Sequence, residues 1–230
     1  MAQQSVVDRV QRALEVYFLD GSWTVGMRLP CERELAEKFC VSRTSLREAI
    51  SRLKARGMLE SRPGNGVFVT DRLQASIASP WNQLMVEHPD LRWDMLEFRR
   101  ELEGAAARYA AMRATQADLD KIDSVFQRLC AAYDNNDIRA EHRADADFHE
   151  AIAEASHNSM FRFLHAGIVR MVREHISLNL TRMEAVKKQL REQHTAIWDA
   201  IRLQQPDTAQ QAMLTHIDFT WSELKRRAEI

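Results

Sequence analysis

Glycine is scarce and unevenly placed in this chain. Only 7 of the 230 residues are glycine, and five of those fall within residues 1–66. Parallel α/β enzymes use glycine in phosphate-binding loops and tight βα turns, so a chain this poor in glycine is expected to be mainly helical. The uneven placement further predicts two different parts, a turn-rich segment at residues 1–70 and a helical segment after it.

Charge separates the same two parts of the chain. Residues 1–70 hold 11 Lys and Arg against 8 Asp and Glu, a net charge of +3, whereas residues 71–230 hold 21 against 25, a net charge of −4. Six of the basic residues fall between Arg43 and Arg62. Such a cluster suits a polyanion, but an ordinary solvated helix face has the same composition, so charge alone leaves both interpretations open.

The chain lacks the signals of a membrane or secreted protein. It contains no run of about 18 apolar residues, and its first residues lack the apolar stretch of a signal peptide. The three cysteines, Cys31, Cys40 and Cys130, have no C-x-x-C spacing and fit reduced packing residues better than disulfides or a thiolate zinc site. We therefore expect a cytoplasmic protein without a membrane partner.

Three helices are predicted near the N-terminus. Apolar residues at helical spacing indicate a first helix that ends near Gly21 and a short second helix at 32–39. Ser42 is suited to cap a third helix from 43 to about 56. The predicted buried stripe of this third helix consists of Leu46, Ile50 and Leu53.

A hairpin is predicted directly after the third helix. Two β-prone runs at 58–62 and 67–70 flank the turn Pro63-Gly64-Asn65-Gly66. Three helices followed by a hairpin is the order of a winged helix-turn-helix domain, whose third helix lies in the DNA major groove. Gly64, Asn65 and Gly66 would let the tip of the wing approach the DNA backbone or the minor groove closely.

The first turns of the third helix carry residues suited to DNA. Arg43, Thr44 and Arg47 lie on its exposed side, with Ser42 at its N-terminus. Arginine reads guanine O6 and N7, and threonine can contact a phosphate or a thymine methyl group. Element order and charge together favour DNA binding through this helix.

From Trp93 onward nearly the whole sequence has helical periodicity. Later helices are predicted at 116–134, with Thr115 as the cap, and at 137–156, 158–180, 183–205 and 207–228, which gives six or seven in all. We therefore expect a mainly α protein. Its predicted parts are a winged helix-turn-helix domain at 1–70, a linker at 71–91 and an all-helical domain at 92–230.

Four ionisable side chains lie on predicted buried helix faces. Asp145 and His149 are spaced i, i+4 and share one face, while His194 and His216 each lie within an apolar stripe. Each histidine taken alone is better explained as a core residue. Three histidines and a carboxylate that converge would instead suit Zn²⁺, Ni²⁺, Mn²⁺ or Fe²⁺. His142 fits the same pattern one turn earlier.

Arg99 borders the buried face of the helix that begins near Trp93. A solvated guanidinium on a buried stem, or a salt bridge with Glu103 four residues later, would explain it without any ligand.

The N-terminal segment resembles the DNA-binding domain of GntR-type bacterial transcription regulators. The resemblance is carried by Leu29-Pro30-x-Glu32-Arg33-Glu34-Leu35-Ala36, Val41-Ser42-Arg43-Thr44-Ser45-Leu46-Arg47-Glu48-Ala49 and Leu53-x3-Gly57-Met58-Leu59. It implies that Arg33, Arg43, Thr44 and Arg47 contact the operator, with Gly64 in the wing. Cys31 departs from the small polar residue or alanine that the family often has there.

The helical segment resembles the effector domain of the FadR subfamily, in its metal-binding FCD branch. The matching residues are Leu96-Glu97-Phe98-Arg99-x2-Leu102-Glu103-Gly104, Asp145-x3-His149, Glu192-Gln193-His194 and His216. The resemblance implies that Asp145, His149, His194 and His216 hold a divalent metal, with zinc the first choice, and that Arg99 pairs with an effector carboxylate. Residues 88–90 and 111–115 look most like regulators that answer to lactate, glycolate or pyruvate.

The sequence thus predicts a homodimeric transcription regulator, expected to be a repressor, that reads an inverted repeat in double-stranded DNA. A small hydroxy- or keto-carboxylate bound at the metal would control its operator affinity. One rival is a metal-dependent hydrolase or oxygenase that uses the same four residues, although no nucleophile motif or phosphate loop supports it. Another is a regulator whose helical domain serves only dimerisation.

Overall fold

A computed structural model describes residues 5–19, 22–70, 81, 83–88, 90–175 and 184–228. Its contacts divide the chain into two compact units, Met1–Ile77 and Ala78–Ile230. Most of the predicted linker, residues 71–80, lies outside the described residues, as do 176–180 at the end of one predicted helix.

The N-terminal unit has the predicted order of three helices and a hairpin. Its elements are α1 (Val6–Leu19), α2 (Glu32–Lys38), α3 (Arg43–Ala55), β1 (Leu59–Arg62) and β2 (Gly66–Val69). The strands are antiparallel, with Leu59 opposite Val69 and Arg62 opposite Gly66. Gly64 has a φ of +74° in the connecting turn, a backbone conformation that side chains disfavour.

A single apolar core holds these elements together. Leu14 of α1 and Leu46 and Leu53 of α3 have no exposed surface, so the apolar stripe of α3 packs inward as predicted. Ser42 caps α3, because its hydroxyl accepts a hydrogen bond from the Ser45 backbone N–H at 3.1 Å. The winged helix-turn-helix prediction is confirmed, and the buried stripe leaves the opposite face of α3 for solvent or DNA.

The C-terminal unit is helical. Its long helices in the described part of the chain are α4 (Leu91–Arg113), α5 (Gln116–Asp134), α6 (Ile138–Ala155), α7 (Ser159–His175), α8 (Glu184–Arg202) and α9 (Pro206–Ala228). Thr115 caps α5 as predicted, and a short helical stretch at 83–87 precedes α4. None of the described helices is both long and apolar enough to cross a bilayer.

One apolar core joins α4, α5, α6, α8 and α9, whereas Phe161 and Leu164 of α7 pack against a second cluster that includes Leu96 and Leu102 of α4. Leu129 of α5, Phe148 of α6 and Ile197 of α8 have no exposed surface. Gly104 of α4 allows close packing of α9, since a Cβ atom there would lie 2.7 Å from Cδ2 of Leu214. Histidines on α6, α8 and α9 therefore share one interior.

Candidate DNA-binding surface and metal centre

The exposed face of α3 presents the predicted DNA-contacting residues. Arg43, Thr44 and Arg47 are all solvent-exposed on its first turns. Arg47 Nε donates to Glu32 Oε2 at 2.7 Å, and Arg43 Nη2 lies 3.7 Å from the same oxygen. Ion pairs on an exposed surface are weak, so both guanidinium groups can exchange this carboxylate for a phosphate or a base edge.

Arg33 and the wing tip extend this face. Arg33 of α2 is exposed and lines one shallow surface depression together with Ser42 and Arg43. Gly64 and Asn65 are exposed at the tip of the hairpin, where the Asn65 backbone N–H donates to the Arg62 carbonyl at 2.9 Å.

Two other basic residues, Arg52 of α3 and Arg56 directly after it, face acidic residues of α1. Arg52 donates to Asp8 of α1 at 2.8 Å, and Arg56 donates to Glu15 of α1 at 2.7 Å. These pairs lie on the side of α3 away from Arg43. Part of the positive charge counted between Arg43 and Arg62 therefore lies beside acidic side chains and away from the predicted DNA-contacting residues, and the sequence could not reveal this because those acidic partners lie on another helix.

Asp145, His149, His194 and His216 converge in the C-terminal unit. Each offers one ligand atom, and these atoms all lie within 4.8 Å of one another. The imidazoles are buried, whereas the Asp145 side chain is 29% exposed and marks the open side of the cluster. His142, the additional candidate on α6, does not belong to this group of four in the described part of the chain.

Each imidazole has a polar side chain close to its Nδ1 atom. His149 Nδ1 lies 2.5 Å from Glu103 Oε2, His194 Nδ1 lies 3.2 Å from the Tyr133 hydroxyl, and His216 Nδ1 lies 3.2 Å from Gln193 Oε1. Metal-binding histidines almost always have such a partner on the second nitrogen, which fixes the tautomer and the ring orientation.

The Nε2 nitrogens of His149 and His194 are available to a cation. The Nε2 atoms of His149 and His194 are buried and make no protein hydrogen bond, although His194 Nε2 lies 3.1 Å from Asp145 Oδ1. Leaving a buried polar atom unpaired costs about 1–3 kcal/mol, so two such atoms facing one carboxylate need an explanation. A divalent cation held by the four side chains would supply one, and this donor set fits such an ion.

The electrostatics keep two of these donors, His216 and Asp145, in their metal-binding forms. Burial, together with the neighbouring His194 and His149, lowers the pKa of His216 well below its usual range, so this imidazole is neutral. Burial alone would raise the pKa of Asp145, but contact with His194 and the nearby imidazoles lower it, so the side chain is a carboxylate. Neutral imidazole and ionised carboxylate are the states that bind metals.

Arg99 is buried beside this cluster. Its Nε donates to Glu103 Oε1 at 2.7 Å, which is the salt bridge that its sequence position allowed. Burial lowers the pKa of Arg99, but the charges of Glu103 and Asp145 outweigh it and leave the pKa raised, so the guanidinium remains charged.

Four surrounding residues were not predicted as part of the site. Glu103, Tyr133, Gln193 and His165 support the cluster, and His165 Nε2 lies 3.5 Å from Glu103 Oε1. Gln193 precedes His194 in the sequence and could have been suspected for that reason. The spacing of Glu103 from Arg99 indicated their salt bridge, but the contact of Glu103 with His149, like those of Tyr133 and His165, joins different helices and has no local signal in the sequence.

Comparisons with known proteins identify both units. Residues 6–69 match the profile of bacterial regulatory proteins of the gntR family, and residues 94–219 match the FCD domain. A protein of Escherichia coli (strain K12), named as a regulatory protein of the L-lactate dehydrogenase operon, is 38% identical over 228 residues, covering 96% of this chain and 85% of the relative. The Glc operon transcriptional activator of the same organism is 33% identical over 221 residues, covering 94% and 87%.

A solved structure agrees with these matches. The GntR protein of Streptococcus agalactiae superposes with a TM-score of 0.63 at 29% identity, covering 92% of this chain and 97% of that one. The relatives are named as regulators of transcription, which supports the regulator over the metal-enzyme rival. The chain belongs to the GntR family of bacterial transcription regulators, in the FadR-type arrangement of a winged helix-turn-helix followed by an FCD domain.

Proposed function

We propose that this regulator is a homodimer whose operator affinity is controlled by a small hydroxy- or keto-carboxylate bound at a divalent-metal centre. The observation that carries the proposal is the convergence of Asp145, His149, His194 and His216, with a polar side chain close to the Nδ1 atom of every imidazole. The buried Nε2 atoms of His149 and His194 lack a hydrogen-bond partner beside Asp145, which supports a cation bound among these side chains.

Asp145, His149, His194 and His216 would hold the ion, and zinc is the ion that we propose. Bound there, it would offer coordination positions to the carboxylate and the adjacent oxygen of the effector. The partly exposed Asp145 lies where such a ligand would reach the site from solvent.

Arg99 supplies the second anchor for the effector. A buried guanidinium favours an anion and has five N–H donors, of which the contact with Glu103 uses the one on Nε. A small hydroxy acid also agrees with the L-lactate dehydrogenase operon for which one relative is named.

The N-terminal unit would read the operator. Arg43, Thr44 and Arg47 contact bases and phosphates, while Arg33, Ser42, Gly64 and Asn65 contact the backbone around them. In a symmetric dimer two such surfaces match an inverted repeat. Binding takes place in the cytoplasm, and repression is the expected consequence.

The metal centre is tested on protein purified without a histidine tag. We expect about one zinc per chain for the wild type and little for His194→Gln. The matched control is His157→Gln, since His157 is an exposed histidine that pairs with Asp118 outside the cluster. Equal zinc content in both variants would contradict the site.

Effector control is tested by operator mobility shifts with L-lactate, glycolate and pyruvate. A ligand changes DNA affinity only through different affinities for two states of the protein, so a true effector shifts the titration midpoint of the metal-loaded wild type. The shift should vanish in His194→Gln and persist in His157→Gln. A metal-free protein with the full response would overturn the proposal in favour of a purely structural helical domain.

A further inference from the structure

A single buried carboxylate touches both halves of the effector site. Glu103 of α4 is 1% exposed. Its Oε1 accepts from Arg99 Nε at 2.7 Å, and its Oε2 lies 2.5 Å from Nδ1 of His149. Arg99 is the proposed anchor of the effector, and His149 is a proposed metal ligand, so Glu103 lies between the two.

The geometry makes this side chain a bridge. Its two oxygens have different neighbours, the permanently charged Arg99 guanidinium at Oε1 and the His149 imidazole at Oε2, and the guanidinium favours the ionised carboxylate. An ionised carboxylate has only acceptor sites and can receive an N–H from each side at once. Both neighbours therefore depend on the same ionised group for their orientation.

We propose that Glu103 is a positioning residue that couples metal occupancy to the orientation of Arg99, an inference that rests on the proposed function of this site. Once its Nε2 binds a cation, His149 donates more strongly through Nδ1–H and fixes the plane of Glu103. Glu103 in turn fixes the Nε edge of Arg99, which leaves the terminal nitrogens for the effector carboxylate.

Replacing Glu103 with glutamine would keep the volume of the side chain but break its simultaneous contact with Arg99 and His149. The glutamine side chain offers one acceptor atom and one donor group, so its amide N–H₂ would face an N–H of either Arg99 or His149. One of the two neighbours would then lose its partner. Glu103→Gln thus separates the bridging role from simple packing.

The test uses zinc alone as the probe. Competition with a chromophoric chelator measures zinc affinity in the wild type and in Glu103→Gln, and we expect a loss of about 10- to 100-fold in the variant. The matched control is Glu101→Gln, two residues away on α4, where Glu101 is exposed and pairs with Arg100. This control should stay within about threefold of the wild type.

A second readout follows Arg99 itself. The ¹H–¹⁵N resonance of its Nε–H group, assigned by its loss in Arg99→Lys, should move when zinc is added to the wild type or to Glu101→Gln. The zinc-induced movement should be lost in Glu103→Gln. A role of Glu103 in packing alone would not make the Arg99 signal depend on zinc.

The outcomes separate this inference from the proposed function. A wild type that binds no zinc contradicts the metal centre. If the wild type binds zinc and Glu103→Gln binds it with the same affinity, only the role of Glu103 is overturned. The same holds if zinc moves the Arg99 signal equally in the wild type and in Glu103→Gln. If Glu103→Gln does not fold, the wild-type resonance still decides, since an Arg99 signal unmoved by bound zinc contradicts the coupling.

Discussion

The hydroxyl oxygen of Tyr133 lies 3.2 Å from Nδ1 of His194, and both side chains are buried. Burial and the negative charge of Asp145 raise the pKa of Tyr133, so the phenol stays neutral at physiological pH. A neutral phenol can accept the Nδ1–H of His194, which fixes the tautomer that leaves Nε2 as the metal-binding atom.

Replacing Tyr133 with phenylalanine should therefore weaken zinc binding without unfolding the protein. We expect a loss of about tenfold or more in zinc affinity, the range for partners of metal-binding histidines. Chelator competition measures the affinity. Tyr109→Phe is the matched control, because Tyr109 lies in the same unit and its ring packs against Phe161 and Arg113 rather than against the histidine cluster. Equal losses in both variants would contradict a specific role for the Tyr133 hydroxyl.

The sequence and the fold contribute differently to this site. Helical spacing placed Asp145 and His149 on one face, and apolar stripes placed His194 and His216 inward; the structure brings all four together. The contact of Glu103 with His149 could not be predicted, because it joins residues of α4 and α6 whose packing is tertiary. The pairing of Arg52 with Asp8, 44 residues apart, escaped sequence analysis for the same reason.

Arg43→Ala should reduce operator affinity and leave the zinc content intact. Each arginine that bonds a base edge in two places contributes about 1–3 kcal/mol of discrimination, and a symmetric dimer loses the contact at both half-sites. We expect a loss of at least about thirtyfold in mobility-shift titrations at fixed salt concentration. Arg52→Ala is the control, since Arg52 pairs with Asp8 and Glu48 and should retain operator affinity. Unchanged affinity in Arg43→Ala would rule out this arginine as a DNA contact.

The metal-free protein should lose stability as the pH falls from 7 to 5. The pKa of His216 is lowered well below the ordinary value of 6.5 in the folded state, so the unfolded chain binds more protons in this window. Stability then rises with pH and declines as the pH drops below 6.5. Chemical denaturation of chelator-treated protein at several pH values measures the slope. His216→Gln should flatten it more than His157→Gln, and equal slopes in the wild type and His216→Gln would contradict the assigned cause.

Arg99→Lys should impair the response to small carboxylates while the protein still binds zinc. Lysine retains the positive charge but loses the planar group that can contact Glu103 through Nε and the effector through its terminal nitrogens. We expect the concentration of L-lactate, glycolate or pyruvate that half-shifts operator binding to rise by about tenfold or more. Arg100→Lys is the matched control, because Arg100 is the next residue of α4 and pairs with Asp218 and Glu101 outside the cluster. If both lysine variants respond as the wild type does, the effector carboxylate is held by groups other than Arg99.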